Sequence, residues 1–178
     1  MTPDWTHSVD VDRLAATRGA HEFALPLAQM IRLGERLLQR DGVATGSVLF
    51  SRERGMNLAT LEVVATAHLR CQRCMQAVQV PLHSKGRIAL VDDLVAEEAL
   101  PADAEQFLVS AGRLLLRDLV EEELLLGLPL IARHQDVHCA DTLLGEQASA
   151  ESAQQGAPRR IETTQKPFAG LGELLKHR

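Results

Sequence analysis

The feature that most constrains the fold is a stretch of two-residue alternation near the middle of the chain. Between residues 58 and 69 every second side chain is apolar, and the side chains between them are mostly polar. The apolar series is Ala59, Leu61, Val63, Ala65, Ala67 and Leu69. Because successive side chains of a strand point to opposite faces of a sheet, this stretch predicts a strand with one buried face. Half-buried strands of this kind are typical of antiparallel sheets.

Neighbouring segments also have strand character. Residues 43–53 and 77–91 are rich in apolar and β-branched side chains, and residues 21–27 alternate loosely. The sequence Glu-Arg-Gly-Met-Asn at 53–57 predicts a hairpin turn directly before the alternating strand. These segments together predict an antiparallel sheet of several strands.

Two segments have helical periodicity. Residues 27–40 alternate apolar and arginine-rich faces, and residues 116–128 give the strongest helical pattern in the chain. In the second helix, Glu121 and Glu122 are expected to face solvent, and Glu123 is expected on the apolar side, at its edge or paired with an arginine. The sequence therefore predicts an α+β fold in which helices flank an antiparallel sheet.

The carboxy-terminal part of the chain differs in composition. We predict a single α+β domain over residues 1–139, followed by a flexible polar linker over 140–166, because the linker residues are small, polar and aperiodic. Residues 167–178 predict a short helix that begins at Pro167. Its apolar side chains, which we expect to dock on a partner, are Phe168, Leu171, Leu174 and Leu175.

Two of the three cysteines, Cys71 and Cys74, are separated by two residues, which is the spacing of half a tetrahedral zinc site. The other dense group of ligand-type residues is His-Gln-Asp-Val-His-Cys at 134–139. His138 and Cys139 are adjacent in the sequence, and adjacent residues rarely bind one ion together. The predicted metal ligands are therefore Cys71, Cys74, His134 and Cys139, with His138 as the alternative fourth ligand, and zinc is the candidate cofactor.

Other interpretations of the cysteine pair remain. The thiols could be free at a surface turn, with the histidines solvated, and the sequence leaves this interpretation open. A redox dithiol of the thioredoxin type requires the pair at the start of a helix, where the helix dipole lowers the thiol pKa. Residues 75–82 predict a continuing strand instead, which disfavours redox catalysis.

Three sequence motifs together resemble the YceD family of bacterial large ribosomal RNA subunit accumulation proteins. They are Leu-Arg-Cys-Gln-Arg-Cys at 69–74, the segment from Leu-Val-Glu-Glu to Val-His-Cys at 119–139, and Lys-Pro-Phe-Ala-Gly-Leu-Gly at 166–172. Their order and spacing make the resemblance specific from about residue 60 to the end. It implies a cytoplasmic protein without known catalytic activity that is needed for accumulation of 23S ribosomal RNA.

This resemblance leaves two modes of action open. The first is an assembly adaptor that binds the large-subunit precursor or a ribosomal protein, using the acidic region 92–139, whose net charge is −8. The second is direct binding of 23S ribosomal RNA by a module that zinc could stabilise. The candidate RNA contacts are Arg70, Arg73, Arg159 and Arg160. Aromatic residues, which grip single strands by stacking, make up only 3% of the chain.

Enzymatic, secreted and membrane classes are disfavoured. The chain has no Gly-x-Ser-x-Gly, phosphate-loop or His-Glu-x-x-His motif, and the carboxylate pairs Asp92/Asp93 and Glu97/Glu98 lie in a stretch typical of a solvated surface. The amino terminus does not predict a signal peptide, and no apolar run is long enough to span a membrane. Three cysteines fit a disulfide framework poorly, so we expect a protein of the reducing cytoplasm. The missing catalytic motifs lead us to expect that it is not an enzyme.

Overall fold

A computed structural model of the chain describes residues 5–141. A five-stranded sheet with strand order β2-β3-β4-β5-β6 forms the centre of the fold. Its strands are β2 (Ala20–Pro26), β3 (Val43–Glu53), β4 (Met56–Arg70), β5 (Ala77–Val91) and β6 (Glu105–Leu108). A second, two-stranded sheet pairs β1 (Val9–Asp10) with β7 (Arg113–Leu114). The helices are α1 (Val11–Thr17), α2 (Ile31–Gly34) and α3 (Leu116–Leu126).

The predicted α+β fold is confirmed, and the long hairpin of β4 and β5 is its main element. The alternating pattern takes the predicted register: Leu61, Val63, Ala67 and Leu69 are buried, whereas Glu62 and Thr66 are exposed. The predicted turn before β4 is also present. Arg54 and Gly55 both have positive φ, at 50° and 82°, which is the backbone of a tight two-residue hairpin.

The sheet is mixed, so the prediction of a wholly antiparallel sheet was wrong in this detail. β6 pairs parallel to β5, with Ile88 opposite Glu105. Parallel pairing requires a crossover, and the acidic segment between the two strands provides it. Leu100 of this segment packs with Leu58, Ala89 and Val91 in a small apolar cluster. Apolar contacts therefore hold the crossover to the sheet, although its acidic sequence does not predict them.

The predicted helix over 27–40 was wrong over most of its length. A 3-10 turn occupies Leu27–Gln29, and α2 ends at Gly34. The next residues pair with β4, which extends beyond the end of β3: the amide of Leu38 donates to the carbonyl of His68 at 2.7 Å. An unpaired strand edge leaves backbone groups without partners, and pairing this edge competes with helix formation.

Helix α3 confirms the predicted helix, but Glu121 does not face solvent as expected, and Glu123, which does lie on the apolar side, has a different partner. Glu121 is buried, and its carboxylate accepts a hydrogen bond of 2.9 Å from the amide of Leu33. Glu123 is also buried and accepts a hydrogen bond of 2.7 Å from the Ser84 hydroxyl, not from an arginine. Because these carboxylates bond α2 and β5, they fix the position of α3 on the rest of the fold.

Some predictions lie outside the described residues. These are the linker beyond residue 141 and the helix over 167–178, with Phe168, Leu171, Leu174 and Leu175. The boundary at residue 139 stays a prediction. Within residues 5–141, no helix is long and apolar enough to cross a membrane.

Candidate metal centre

The cysteine pair lies in the turn that joins β4 to β5. The amide of Cys71 donates to the carbonyl of Gln76 at 2.8 Å, and the amide of Met75 donates to the carbonyl of Cys71 at 2.9 Å. Met75 has a positive φ of 62°, in the left-handed region that non-glycine residues seldom adopt. This tight turn brings the thiols of Cys71 and Cys74 to one side, and both are buried.

A second segment supplies the other ligand-type side chains. It follows α3, which stops before Pro129 because proline cannot continue the helical hydrogen bonds. The segment is tied to the turn by backbone pairing, since the amide of Gln72 donates to the carbonyl of Ala132 at 2.9 Å. His134 and Cys139 are thereby brought to the cysteine pair across about 60 residues of sequence.

Four ligand atoms converge at this junction. The sulfurs of Cys71, Cys74 and Cys139 and a ring nitrogen of His134 lie within 4.8 Å of one another. The Cys71 and Cys139 sulfurs are 4.0 Å apart, and the Cys74 sulfur is 3.3 Å from Nδ1 of His134. A tetrahedral zinc ion, with Zn–S bonds of about 2.3 Å and Zn–N bonds of about 2.0 Å, would require separations of roughly 3.8 Å and 3.5 Å. The donor set therefore fits a metal ion.

The imidazole of His134 is oriented for this role. Its Nε2 lies 3.0 Å from the carbonyl oxygen of Ala77. A carbonyl can only accept a hydrogen bond, so Nε2 carries the proton and Nδ1 presents its lone pair toward Cys74. Backbone carbonyls commonly fix metal-binding histidines in this way. His138, the alternative ligand, is not among the four converging residues; its amide donates to Asp136 at 2.9 Å.

Two of the thiols have shifted pKa values. Burial raises the pKa of Cys71, but this effect is outweighed by hydrogen bonds that its sulfur accepts from the backbone amides of Cys74, Arg73 and His134, and its pKa falls to about 5. Burial raises the pKa of Cys139, and contact with the sulfurs of Cys74 and Cys71 raises it further. One thiolate is therefore already favoured before any cation binds.

Arg73 is a participant that the sequence did not reveal, because it was assigned to RNA contact. Its Nη1 donates to the carbonyl of Asp136 at 2.8 Å and lies 3.7 Å from the sulfur of Cys139. Its backbone amide is 3.4 Å from the sulfur of Cys71. The sequence did contain one signal for this role. Arg73 lies between the two cysteines of the pair, and a residue inside such a short turn is close to both of them.

The remaining predicted residues divide between surface and undescribed chain. Arg70 is exposed at the end of β4, beside the turn. Arg159 and Arg160 lie outside the described residues. The centre therefore has four protein donors and a neighbouring guanidinium. Four protein ligands leave a zinc ion no open position for water or substrate, which is the pattern of structural sites.

Comparison with known proteins agrees with the sequence resemblance. No solved structure matches this chain. The family model described as large ribosomal RNA subunit accumulation protein YceD matches residues 59–175. The match covers β4 from Ala59 onward and all four residues of the candidate centre. Since it extends over well more than half of the sequence, the chain belongs to the YceD family.

Proposed function

We propose that this protein is a non-enzymatic ribosome-biogenesis factor of the cytoplasm that supports accumulation of 23S ribosomal RNA as an assembly adaptor. Its partner would be a precursor of the large subunit or one of its ribosomal proteins. The observation that carries the proposal is the family match, because the family is described by its role in accumulation of large-subunit ribosomal RNA.

The proposal includes a zinc ion held by Cys71, Cys74, His134 and Cys139. Support comes from the separations of the sulfur and nitrogen atoms and from the oriented Nδ1 of His134. Thiolate and imidazole donors in a closed set of four favour zinc over harder cations. The ion would hold the segment after α3 against the β4–β5 turn and would perform no chemical step.

Charge distribution supports an adaptor with two different ends. Residues 92–105 follow β5 at its end opposite the cysteine turn. They contain six carboxylates and no lysine or arginine. At the other end, five arginines outnumber three carboxylates in the segments 35–41, 69–76 and 130–139. The 15 residues of β5 separate the two ends by about 45 Å. A basic ribosomal protein would be attracted to the acidic end.

The deciding experiment is a pull-down of the full chain from growing cells, with RNA and protein identified together. We expect large-subunit proteins or precursor particles to be recovered, and 23S ribosomal RNA to decline when the protein is depleted. Unchanged 23S levels after depletion, with neither ribosomal RNA nor large-subunit proteins recovered, would contradict the proposal.

Direct RNA binding is the second candidate, favoured by the exposed Arg70 at the arginine-rich end. Arg73 would contribute from the edge of the metal centre, and Arg159 and Arg160 from the tail. Binding of the isolated protein to 23S fragments, with affinity that falls steeply as salt rises, would support this mode, because neutralised phosphates release counterions. Capture of a ribosomal protein without affinity for bare RNA would support the adaptor instead.

A further inference from the structure

A groove with an apolar floor lies beside the candidate metal centre. Its volume is about 660 Å³, within the range of about 300–1,000 Å³ that is usual for binding pockets. Leu69 and Ala132 are buried in its floor, and the last turn of α3 contributes Leu125. The groove therefore runs between the end of the β4–β5 hairpin and the segment that follows α3.

Two large apolar side chains on its walls are exposed. Leu130 is 96% exposed and Met75 is 56% exposed. Covering apolar side chains releases about 25 cal/mol for each Å² removed from water. Clustered exposed apolar side chains of this kind mark surfaces that bind another molecule. Methionine side chains suit such surfaces, because they are unbranched and polarizable.

The rim of the groove is positively charged. Arg36 and Arg70 both line it, and within the described part of the chain neither forms a salt bridge. Arginine binds carboxylates well, since its planar guanidinium can donate two parallel hydrogen bonds. Apolar walls with free guanidinium groups at the rim complement a ligand that is apolar in the middle and anionic at its edges.

The groove depends on the same contacts that build the metal centre. Gln72, which lines the groove, donates from its backbone to Ala132 at 2.9 Å and from its side-chain amide to the carbonyl of Leu130 at 3.4 Å. One wall is therefore joined to the cysteine turn by direct hydrogen bonds. An ion that holds Cys139 against Cys71 would also hold this wall in place.

We propose that this groove docks a short segment of a partner protein in which apolar side chains are flanked by carboxylates. The apolar side chains would contact Met75, Leu130 and the floor, and the carboxylates would pair with Arg36 and Arg70. This rests on the proposed adaptor function and assigns it a second contact surface, distinct from the acidic residues 92–105. RNA fits the groove less well, since none of its lining residues is aromatic and bases would lack a stacking platform.

Site-specific photocrosslinking of the full chain in growing cells tests this proposal. The photoreactive residue p-benzoylphenylalanine replaces Met75 in the groove or, as a control, Leu49, an exposed apolar residue of β3 on another part of the sheet. The crosslinked species is identified by mass spectrometry at the level of the peptide. We expect position 75, and not position 49, to crosslink to a protein segment with carboxylates beside apolar side chains.

Charge reversal provides the second measurement. The double variant Arg36→Glu, Arg70→Glu should reduce the crosslink yield about tenfold, because it replaces attraction between the guanidinium groups and the carboxylates by repulsion between like charges. The matched control is Arg18→Glu, Arg54→Glu, which changes the net charge equally at exposed sites away from the groove. RNA crosslinked at position 75, equal yields at both positions, no crosslink, or equal effects of the two double variants would each overturn the proposal.

The outcomes separate this proposal from the function on which it rests. A crosslinked acidic and apolar segment from a protein that is absent from large-subunit precursors would leave the groove established and contradict the adaptor function. Recovery of large-subunit proteins in the pull-down, undiminished by Arg36→Glu and Arg70→Glu and without a crosslink at position 75, would support the function and reject the groove.

Discussion

Three thiolates and one neutral imidazole around a divalent zinc ion would give the centre a net charge of −1. The guanidinium of Arg73, 3.7 Å from the sulfur of Cys139, lies where it can balance that charge. The carbonyl of Asp136 holds the guanidinium there. The contact is partly withdrawn from solvent, so screening by water is incomplete and the attraction is stronger than at an exposed site. Arg73 is therefore expected to act on zinc affinity rather than on RNA alone.

We predict that Arg73→Ala weakens zinc binding about tenfold or more, in line with the effect of removing groups that contact metal ligands. Affinity is measured by competition with a chromophoric chelator. Arg70→Ala is the matched control, since Arg70 is exposed beside the same turn and, among the described residues, the hydrogen bonds to the four ligand side chains do not involve its guanidinium. Equal affinities for the two variants would contradict a role of Arg73 at the centre.

Zinc affinity should also rise with pH. The raised pKa of Cys139 means that its thiol carries a proton at neutral pH, whereas Cys71, with a pKa of about 5, is already a thiolate. Zinc binds the thiolate, so it must displace the proton of Cys139, and each displaced proton changes apparent affinity about tenfold per pH unit. Titrations at pH 6, 7 and 8 should show this increase. The slope of log zinc affinity against pH should be smaller by about one proton in Cys139→Ser. An unchanged slope would contradict a protonated Cys139 thiol in the metal-free protein.

At the residue scale, the sequence predicted which four residues meet but not how they are held. Cysteines two residues apart and a His/Cys group are recognisable because metal ligands follow narrow spacing rules. The proton on Nε2 of His134 depends on the carbonyl of Ala77, and Arg73 depends on that of Asp136. Backbone carbonyls carry no sequence signature, so these two contacts were not predictable from the residues alone.

Among the elements, α3 is positioned by a buried carboxylate. Glu121 accepts the hydrogen bond of the Leu33 amide, and its other oxygen lies 3.5 Å from Nε of Arg32. We predict that Glu121→Ala lowers the free energy of unfolding by about 1–3 kcal/mol, because the buried Leu33 amide would lose its partner. Urea denaturation at equilibrium measures this change.

Glu122→Ala is the control for Glu121. Glu122 pairs with the same Arg32 at 2.7 Å, but both side chains are substantially exposed. Exposed pairs contribute about 0–1 kcal/mol, so this variant should stay close to the wild type. A larger loss from Glu122→Ala than from Glu121→Ala would show that the buried amide contact is not what positions α3.

Long periodic elements were predictable, whereas elements that depend on distant partners were not. The alternation in β4 and the helical pattern of α3 are local, and the structure reproduces both. Residues 35–40 also have helical periodicity, yet Leu38 and Gln39 pair with His68 of β4. Tertiary pairing overrides weak local preference in such cases. The parallel pairing of β6 likewise depends on a crossover whose anchor, Leu100, is one residue in an acidic segment.

For the described molecule as a whole, the β4–β5 hairpin connects three features in one line. The cysteine turn and the groove lie at one end, and the acidic crossover begins at the other, where β5 ends at Val91. A partner at one end need not exclude a second partner at the other, because about 45 Å of strand separates them. This arrangement suits an adaptor that contacts two components of an assembling particle.

Removal of zinc should therefore weaken one end of the molecule and leave the other intact. A ligand that binds only the folded state stabilises it by about 4 kcal/mol when present at 1,000 times its dissociation constant. We predict a higher free energy of unfolding in excess zinc than with a chelator, and no such difference in Cys71→Ser. Unfolding in urea at both conditions measures this.

Hydrogen exchange then locates the change within the fold. Without zinc, the amide of Gln72, which bonds the carbonyl of Ala132, should exchange faster, since the ion would no longer hold the segment of His134 and Cys139. The amide of Val48, in the middle of β3 and fully buried, should be accelerated less, because it exchanges only when the whole fold opens and its rate follows the free energy of global unfolding. Equal acceleration at both positions would mean that zinc supports the whole fold, and no acceleration at Gln72 would mean that the ion does not hold this junction. The local result would also connect the two proposals, because the wall of the groove at Leu130 is bonded to the same glutamine.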